Sequence, residues 1–568
     1  PSEDVTFEQN LATLGSEPSS IVNGCVNVLN GTFIESGCNL MSPGPRPLMV
    51  QHLYTSSSGW WINEPEKVRI PSKKHPKIVT HSYRGMYTSF SDLDAEKYDY
   101  RVRHTNYRRG LTNSATGYIG GKNNSHNMAM VIRPHEMRED KLRATVCDGT
   151  GIVKKFETPL IRKSKEAGSK VYAGSALTYE QPSRGPRTSY TYLYGPRGWA
   201  IEEVSNQSTI RELNSINYNY EPYKKEGCLI AYANRGKSGF CRYTFDKKDP
   251  EKLLSIVSSA APPVEYFYQD DTNLLTKIAR AHGRELEIEY YTVEHIDKKA
   301  KNKDEVTKSL GRVHSLRAPV GPYHSDKNLY TTHRFVYKTV EDKNNNTVSG
   351  STHVFDIHDQ ETIYHFDSDS RLRGIHECGD AQTNRIHLFF WFDQNSPHDG
   401  NLRLQTLQAS LHQLVSCRMY VYDNQQNVTQ DILFGSLTGH HTTPPQISPE
   451  GAVIENGCER YKTNFIYSQD VFNNLLKEQD EQKDVYYLYY PQTDLLKAKF
   501  VVEPHTQQIR YREFYDYDDN RGLIRFAYDD GSSQEEGDLT GVTERHLLYT
   551  KYREVFPYGI PQIFEEKY

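Results

Sequence analysis

The sequence predicts an all-β protein in which antiparallel hairpin repeats spiral into a curved or hollow shell with few short helices. Residues 266–291 show the underlying pattern: Tyr266 and Tyr268 stand two apart, a polar turn follows, and Leu275 and Ile278 come next. Alternation of this kind, interrupted by turn residues, is typical of paired β-strands with one buried face. The 41 Tyr and 21 Phe suit a thin, two-sided layer, because these rings can be half buried.

The same pattern recurs along the chain, which is the second observation behind the fold class. Residues 363–375, 487–500 and 514–524 repeat an aromatic pair, an Asp- or Pro-containing turn and an aliphatic return. Recurring units that cannot bury a face alone are expected to stack on their neighbours. We predict that the repeats are marked structurally by Tyr266, Tyr268, Leu275, Ile278, Gly283, Arg284, Tyr364, Phe366, Leu372, Tyr515, Tyr517 and Leu523.

An N-terminal block gives independent evidence. Residues 24–54 read GCVNVLNGTFIESGCNLMSPGPRPLMVQHLY. Together with the repeats, this block resembles the Rhs/YD-repeat family, and it is most similar to members from Chlamydia-like bacteria. Asn39 stands where the family pattern has Asp, and His52 where it has Arg. The structural residues that the resemblance assigns to the block are Gly31, Pro43, Gly44, Pro45 and Pro47.

The order of segments follows from these motifs. Residues 1–20 form an N-terminal arm, 21–200 an N-terminal Rhs-associated β region, and 201–568 a YD-repeat β-shell segment that we expect to continue beyond this chain. Prolines in the Pro-Gly-Pro turn predict extended chain that is not central to a sheet. A short helix is predicted to begin near Asp470.

Charge and hydropathy exclude several classes of function. A net charge of -5 gives no electrostatic reason to expect nucleic acid as a partner. No run of 18 apolar residues is present, so no membrane span is predicted. The chain opens on Pro1 without a basic and then apolar leader, so we expect any secretion signal to be removed or to lie outside this chain.

The cysteines allow two interpretations. Cys25 and Cys38, like Cys228 and Cys241, are thirteen residues apart, a spacing that could place each pair across a hairpin. Disulfides in these pairs are one possibility for a secreted chain, and buried free thiols are the default. The sequence leaves the disulfide state of both pairs open.

Candidate chemistry is weak throughout. His353 and His358 are five apart and would fall on opposite faces of a regular strand, whereas His440 lies in a Pro-rich loop. Cys378 follows His376 closely, but nearness in sequence does not make a catalytic pair. We therefore predict no catalytic, cofactor-binding or metal residues, and a protein that is not an enzyme.

The resemblance implies a structural function. Such a shell encloses or carries a secreted effector or toxin polypeptide, so the expected partners are a polypeptide cargo or the remaining shell segments of the same protein. The expected location is outside a bacterial cell or on its surface. The alternative is a surface binding module whose exposed tyrosines recognise a glycan or a host protein, which predicts an aromatic-rich outer patch.

Overall fold

The computed structural model describes the central part of the chain nearly continuously and shorter segments on either side. The described residues are 20–44, 46–57, 59–62, 66–69, 78–83, 86–94, 99–102, 129–132, 143–147, 153–157, 175–181, 186–195, 198–207, 212–220, 227–295, 303–320, 328–341, 347–368, 371–379, 384–393, 395–398, 401–409, 413–424, 427–440, 443–449, 451–454, 456–469, 474–491, 493, 495–517, 523–529, 547–553 and 562–567.

Five strands near the start of the chain form a separate antiparallel sheet, here called the N-terminal sheet, in the order β1 to β5. Its strands are β1 Ile21–Val22, β2 Val26–Asn27, β3 Thr32–Ser42, β4 Leu48–Thr55 and β5 Gly59–Ile62.

A second, much longer antiparallel sheet, here called the main sheet, contains nearly all other strands. Its first half comprises β6 Lys67–Arg69, β7 Ile78–Tyr83, β8 Met86–Asp94, β9 Asp99–Val102, β10 Ala129–Ile132, β11 Arg143–Cys147, β12 Val153–Glu157, β13 Ser175–Gln181, β14 Arg187–Gly195, β15 Gly198–Gln207, β16 Glu212–Tyr220, β17 Cys228–Ala233, β18 Phe240–Phe245, β19 Leu253–Ser258, β20 Val264–Tyr268, β21 Leu275–Arg280, β22 Arg284–Tyr290 and β23 Val313–Pro319.

The second half comprises β24 Leu329–Glu341, β25 Thr347–Asp356, β26 Glu361–Asp367, β27 Leu372–Cys378, β28 Arg385–Trp391, β29 Leu402–Gln408, β30 Leu414–Tyr422, β31 Val428–Gly435, β34 Glu459–Tyr467, β35 Leu475–Gln479, β36 Asp484–Tyr489, β37 Leu496–Val502, β38 Ile509–Tyr517, β39 Leu523–Asp529, β40 Leu547–Arg553 and β41 Gln562–Lys567. The hairpin of β32 Gln446–Ile447 and β33 Val453–Ile454 lies outside this sheet.

The main sheet winds in chain order. Each strand pairs antiparallel with the one before and after it, and β31 pairs directly with β34. β6 also pairs with β13, through Val68 with Ser175 and Lys67 with Ala176, so the first edge of the sheet is covered by a later strand. Among the described strands, β41 pairs with β40 and with no earlier strand. The prediction of an all-β fold of antiparallel hairpins in a curved wall is confirmed, while the structure shows an open end.

Helices are few and short, as predicted. Within the described ranges, three single turns of 3-10 helix span Asn234–Gly236, Ala281–Gly283 and Val293–His295, and one α-helix, α1, spans Lys303–Lys308. The helix predicted to begin near Asp470 is wrong over Leu475–Gln479, because that segment is strand β35 and pairs with both β34 and β36; residues 470–473 lie outside the described residues. In the described part of the chain, no helix is long and apolar enough to cross a membrane.

A register shift recurs near the turn end of the hairpins and pairs an aromatic residue with an aliphatic one. The pairs are Tyr192 with Ile201, Phe245 with Leu253, Tyr268 with Leu275, Tyr290 with Val313, Phe366 with Leu372, Trp391 with Leu402, Tyr422 with Val428, Tyr467 with Leu475, Tyr489 with Leu496, and Tyr517 with Leu523. A bulge of this kind bends and twists a strand locally. Its repetition gives the wound sheet a regular source of curvature.

The aromatic residues also tie each hairpin to the preceding one. Ring hydroxyl or indole groups donate to the carbonyl of an earlier aliphatic bulge residue. These bonds run from Tyr192 to Leu177, Tyr220 to Ile201, Tyr268 to Leu253, Tyr337 to Val313, Trp391 to Leu372, Tyr422 to Leu402 and Tyr489 to Leu475. Buried Tyr and Trp usually find such a partner, because an unpaired polar group is costly there.

The two faces of the main sheet differ in character. In β22, Ile288 and Tyr290 are buried, whereas Glu285, Glu287 and Glu289 alternate with them on the other face. The largest apolar cluster lies on the buried side and combines residues of the N-terminal sheet with residues of β15 to β25. We call the side that the N-terminal sheet contacts the inner face.

Candidate functional site

The contact between the two sheets is the candidate site, because most buried long-range polar bonds of the described chain converge there. Strands β3 and β4 lie against β15 to β19. Further contacts reach from Glu180 on β13 to Thr352 on β25, and Leu29 joins an apolar cluster with Phe366 and Ile375. The N-terminal sheet therefore braces many hairpins that do not pair with each other.

The Pro-Gly-Pro turn docks on buried amides. Asn214 Nδ2 donates to Ser42 O at 3.0 Å and to Arg46 O at 3.2 Å, and Asn206 Nδ2 also donates to Arg46 O. A Cβ atom on Gly44 would lie 2.6 Å from the Asn214 side chain, so only glycine fits there without a shift. Pro43 is exposed. Pro47 is half buried, and Pro45 lies outside the described residues.

Arg46 anchors the same turn electrostatically. Its guanidinium donates to Glu180 and, at 3.2 Å, to Thr188 Oγ1. Burial of Glu180 disfavours its charge, but the Arg46 guanidinium, helped by Lys154, holds the pKa of that carboxyl below its ordinary value. Glu180 is therefore an ionised group inside the contact, and its charge depends on Arg46.

Asn39 and His52, the two positions at which the block departs from the family pattern, touch each other. His52 Nδ1 lies 2.6 Å from Asn39 Oδ1. Asn39 Oδ1 also accepts a hydrogen bond from the Tyr243 hydroxyl at 2.8 Å, and the main-chain carbonyl of Asn39 accepts one from the Ser258 hydroxyl at 2.5 Å. The pair forms a polar contact inside the N-terminal sheet, and the hydrogen bonds to Asn39 couple that contact to the main sheet.

An aromatic group fills the middle of the contact. The Tyr54 hydroxyl donates to Asn273 O at 2.7 Å and accepts the Leu275 N–H at 3.0 Å. Trp60 Nε1 donates to the Tyr268 hydroxyl at 2.7 Å, and its ring meets Tyr266 edge-on at 4.8 Å. Burial raises the pKa of Tyr54 to about 12, so its hydroxyl stays protonated and serves as a structural donor.

The far end of the contact combines an ion pair with a close backbone approach. Arg280 Nη2 donates to both Glu35 oxygens, at 2.8 and 3.0 Å. Gly31 O accepts the Val313 N–H at 2.9 Å. Gly31 has φ +71°, and a Cβ atom there would lie 2.5 Å from the Arg312 side chain. Both the conformation and the space at this position therefore favour glycine.

The predicted repeat residues occupy comparable places in their hairpins. Tyr266 pairs with Ile278 and Tyr268 with Leu275 across β20 and β21, and all but Tyr268 are fully buried. Gly283, with φ +72°, closes the turn that leads to Arg284, the exposed first residue of β22. Tyr364 pairs with Ile375, and Phe366 with Leu372. Tyr515 is buried, and Tyr517 pairs with Leu523, whose side chain lies outside the described ones.

Cys25, Cys38, Cys228 and Cys241 are thiols and not disulfides in this structure. Cys228 pairs with Thr244, so Cys241, three residues from Thr244 on the adjacent strand, points to the opposite face. Burial raises the pKa values of Cys25 and Cys241 to about 12, which leaves these thiols protonated.

The other candidate groups do not assemble into a reactive site. His353 Nδ1 lies 2.5 Å from Glu361, while His358 is in an exposed turn. Burial, with Glu361 nearby, raises the pKa of Cys378, which weakens it as a nucleophile. Three groups that sequence reasoning missed, Glu289, His295 and His314, do converge.

Comparison with known proteins gives structural likeness only. No protein-family model and no curated protein sequence matches the chain. A crystal structure of TcdB2-TccC3 matches 89% of this chain and 28% of its own, at 12% identity and a TM-score of 0.33. The structure of the Photorhabdus luminescens Tc holotoxin pore matches 84% of this chain and 23% of its own, at 11% identity and a TM-score of 0.34. A crystal structure of TcdB2-TccC3-TEV matches 71% of this chain and 23% of its own, at 14% identity and a TM-score of 0.31.

The chain thus spans about a quarter of the length of each of these chains. TM-scores of this size do not establish a common fold, so the architecture rests on the strand pairings and contacts above.

Proposed function

We propose that this chain is a segment of an Rhs-type wall that encloses or carries a secreted polypeptide, such as an effector or toxin, without catalysing a reaction. The supporting observation is the geometry of the two sheets. One continuous sheet winds in chain order, and its inner face carries the chain's own N-terminal sheet from β13 to β25. A wall built this way is thin, curved and internally braced.

The distribution of side chains supports a wall more than a binding module. The alternative predicts an aromatic-rich outer patch. Among the described residues, most large apolar side chains that are exposed are aliphatic, and the aromatic ones are Phe240, Phe267, Tyr330 and Tyr511, on separate strands. The tyrosines instead turn inward to hydrogen-bond neighbouring hairpins. We therefore do not favour glycan or host-protein recognition.

Solution scattering of the full chain tests this proposal. A compact globule of this length would have a radius of gyration of roughly 24 Å. A hollow or strongly curved wall has its mass far from the centre, so we expect a larger radius and an envelope of low central density. A solid particle near 24 Å would contradict the proposal. An open curved rod that binds glycans in a screen would support the alternative instead.

A further inference from the structure

Three potential metal ligands meet on the face of the main sheet opposite the N-terminal sheet. Glu289 comes from β22, His295 from the turn Val293–His295, and His314 from β23. One ligand atom of each lies within 4.8 Å of the others. The side chains are accessible, since Glu289 is 49% and each histidine 24% exposed.

Each carboxylate oxygen of Glu289 lies from one histidine at the distance between two ligands of a tetrahedral zinc site, and the ligand atoms of all three residues lie within 4.8 Å of one another. Glu289 Oε2 lies 3.1 Å from His314 Nδ1, and Oε1 lies 3.3 Å from His295 Nε2. Two ligands that are each about 2.0 Å from a tetrahedral centre stand about 3.3 Å apart. The two imidazole centroids are 4.7 Å apart, so both rings border the same small space as the carboxylate.

The recurring bulge places one of the ligands. Glu289 pairs with Ser315 and Tyr290 with Val313, so His314 is the extra residue at the register shift. A bulge can re-aim a side chain, and here the extra residue lies beside Glu289. His295 belongs to the long insertion between β22 and β23 that also contains α1. The site therefore joins an insertion to the wall.

Outer contacts orient the ligands as in known metal sites. Ser315 Oγ donates to Glu289 Oε2 at 2.7 Å. His295 Nδ1 accepts the Thr292 N–H at 3.1 Å, so a metal on Nε2 requires the ring proton to move to Nδ1 and to be donated instead to Thr292 Oγ1, which is also 3.1 Å away. Tyr291 meets both imidazoles edge-on, and its hydroxyl is fixed on Phe335 O at 2.8 Å. Residues that contact the metal ligands in this way fix the orientation of each ligand and the tautomer of each histidine.

We propose that Glu289, His295 and His314 bind one Zn²⁺ ion, with a fourth position open to water, and that the ion fastens the insertion between β22 and β23 to the wall. Two imidazoles and a carboxylate are ligands that zinc prefers. The site is independent of the proposed cargo role.

Titration of the metal-stripped, untagged full chain with Zn²⁺ by calorimetry tests the site. We expect one ion per chain. His314→Ala and Glu289→Gln should each weaken binding by more than about 100-fold, and Ser315→Ala by roughly 10- to 100-fold. His358→Ala is the control, because His358 is an exposed turn histidine that does not belong to the cluster, and it should bind as the parent does.

Co²⁺ provides a readout of geometry, since a tetrahedral site gives intense visible absorption that an octahedral surface site lacks. The parent should show this absorption and lose it on His314→Ala. The far-ultraviolet circular dichroism of each variant without metal should equal that of the parent. No stoichiometric zinc binding, or equal binding by the parent, His314→Ala and Glu289→Gln, would overturn the proposal.

Discussion

The Tyr268 hydroxyl joins three parts of the molecule. It accepts the indole N–H of Trp60 from the N-terminal sheet and donates to Leu253 O in the preceding hairpin, while its own backbone pairs with Leu275 at the bulge. One side chain thus serves the contact between hairpins and the contact between sheets. This dual use explains why a Tyr rather than a Phe follows Phe267 at this position of the repeat.

Tyr268→Phe removes the hydroxyl and keeps the ring. Because Trp60 N–H and Leu253 C=O then lose a buried partner, we expect the free energy of unfolding to fall by about 1–3 kcal/mol. Chemical denaturation monitored by tryptophan fluorescence measures the change. Tyr511→Phe is the matched control, since Tyr511 is 37% exposed and should change stability by less than about 0.5 kcal/mol. Equal losses in the two variants would contradict this role of the hydroxyl.

Glu180 makes stability depend on pH. Its pKa in the folded chain lies below its value in the unfolded chain, which is about 4.3. The unfolded state therefore binds the proton more readily, and the stabilisation is present above about pH 4.3 and disappears as the pH falls towards the folded pKa. We expect Glu180→Gln to show a smaller loss of melting temperature between pH 6 and pH 3.5 than the parent.

The control for this titration is Glu285→Gln. Glu285 pairs with Lys277 at 2.8 Å, but each side chain is 33% exposed, and surface pairs contribute little. Its melting temperature should follow the parental dependence on pH. A Glu180→Gln curve parallel to that of the parent would mean that Arg46 does not hold the carboxylate in the contact.

At the scale of elements, sequence patterns predict strands better than they predict where strands dock. Tyr266 and Ile278 belong to alternating runs, and they pair as neighbours across one hairpin. The segment Leu475–Gln479 was wrongly predicted as helix because its few apolar residues are also compatible with a helix. It forms a strand because it pairs with β34 on one side and β36 on the other. Local pattern is informative only where neighbours in space are neighbours in sequence.

The position at which the N-terminal sheet contacts the main sheet could not be predicted from local patterns, because the contacting residues are far apart in sequence. Tyr54 bonds to Asn273, and Thr352 bonds to Val28, across separations of 219 and 324 residues. Buried Asn206 and Asn214 look like ordinary turn or surface residues in sequence. Glu289, His295 and His314 show no regular spacing either, because a bulge and an insertion bring them together.

Gly31→Ala tests the docking of the N-terminal sheet. Alanine at φ +71° costs about 1–2 kcal/mol, and its Cβ would also collide with Arg312. Gly24→Ala is a close control, because Gly24 has φ +67° with no atom within 4 Å of the added Cβ. We expect Gly31→Ala to be destabilised by about 1–3 kcal/mol more than Gly24→Ala in chemical denaturation. Equal effects would show that Arg312 moves aside without cost.

At the scale of the whole molecule, a sheet wound in chain order resembles a one-dimensional array in which each hairpin depends on its neighbours. The N-terminal sheet alters this, since it puts residues from β2 to β5 into the same apolar contacts as β15 to β25. Strands β37 and β38 have a small local cluster of their own, around Phe500 and Phe514. The two regions should therefore open separately, the braced region at the higher free energy.

Hydrogen exchange with paired substitutions tests this separation. Trp60→Ala removes the ring that contacts Tyr54 and Tyr266 at 5.0 and 4.8 Å, so exchange should accelerate in β20 and β21 and stay unchanged in β36 and β37. Phe500→Ala removes the edge-on contact with Phe514 at 6.0 Å and should do the reverse. If either substitution accelerated exchange equally in both regions, the chain would unfold as one unit and the N-terminal sheet would not be a local brace.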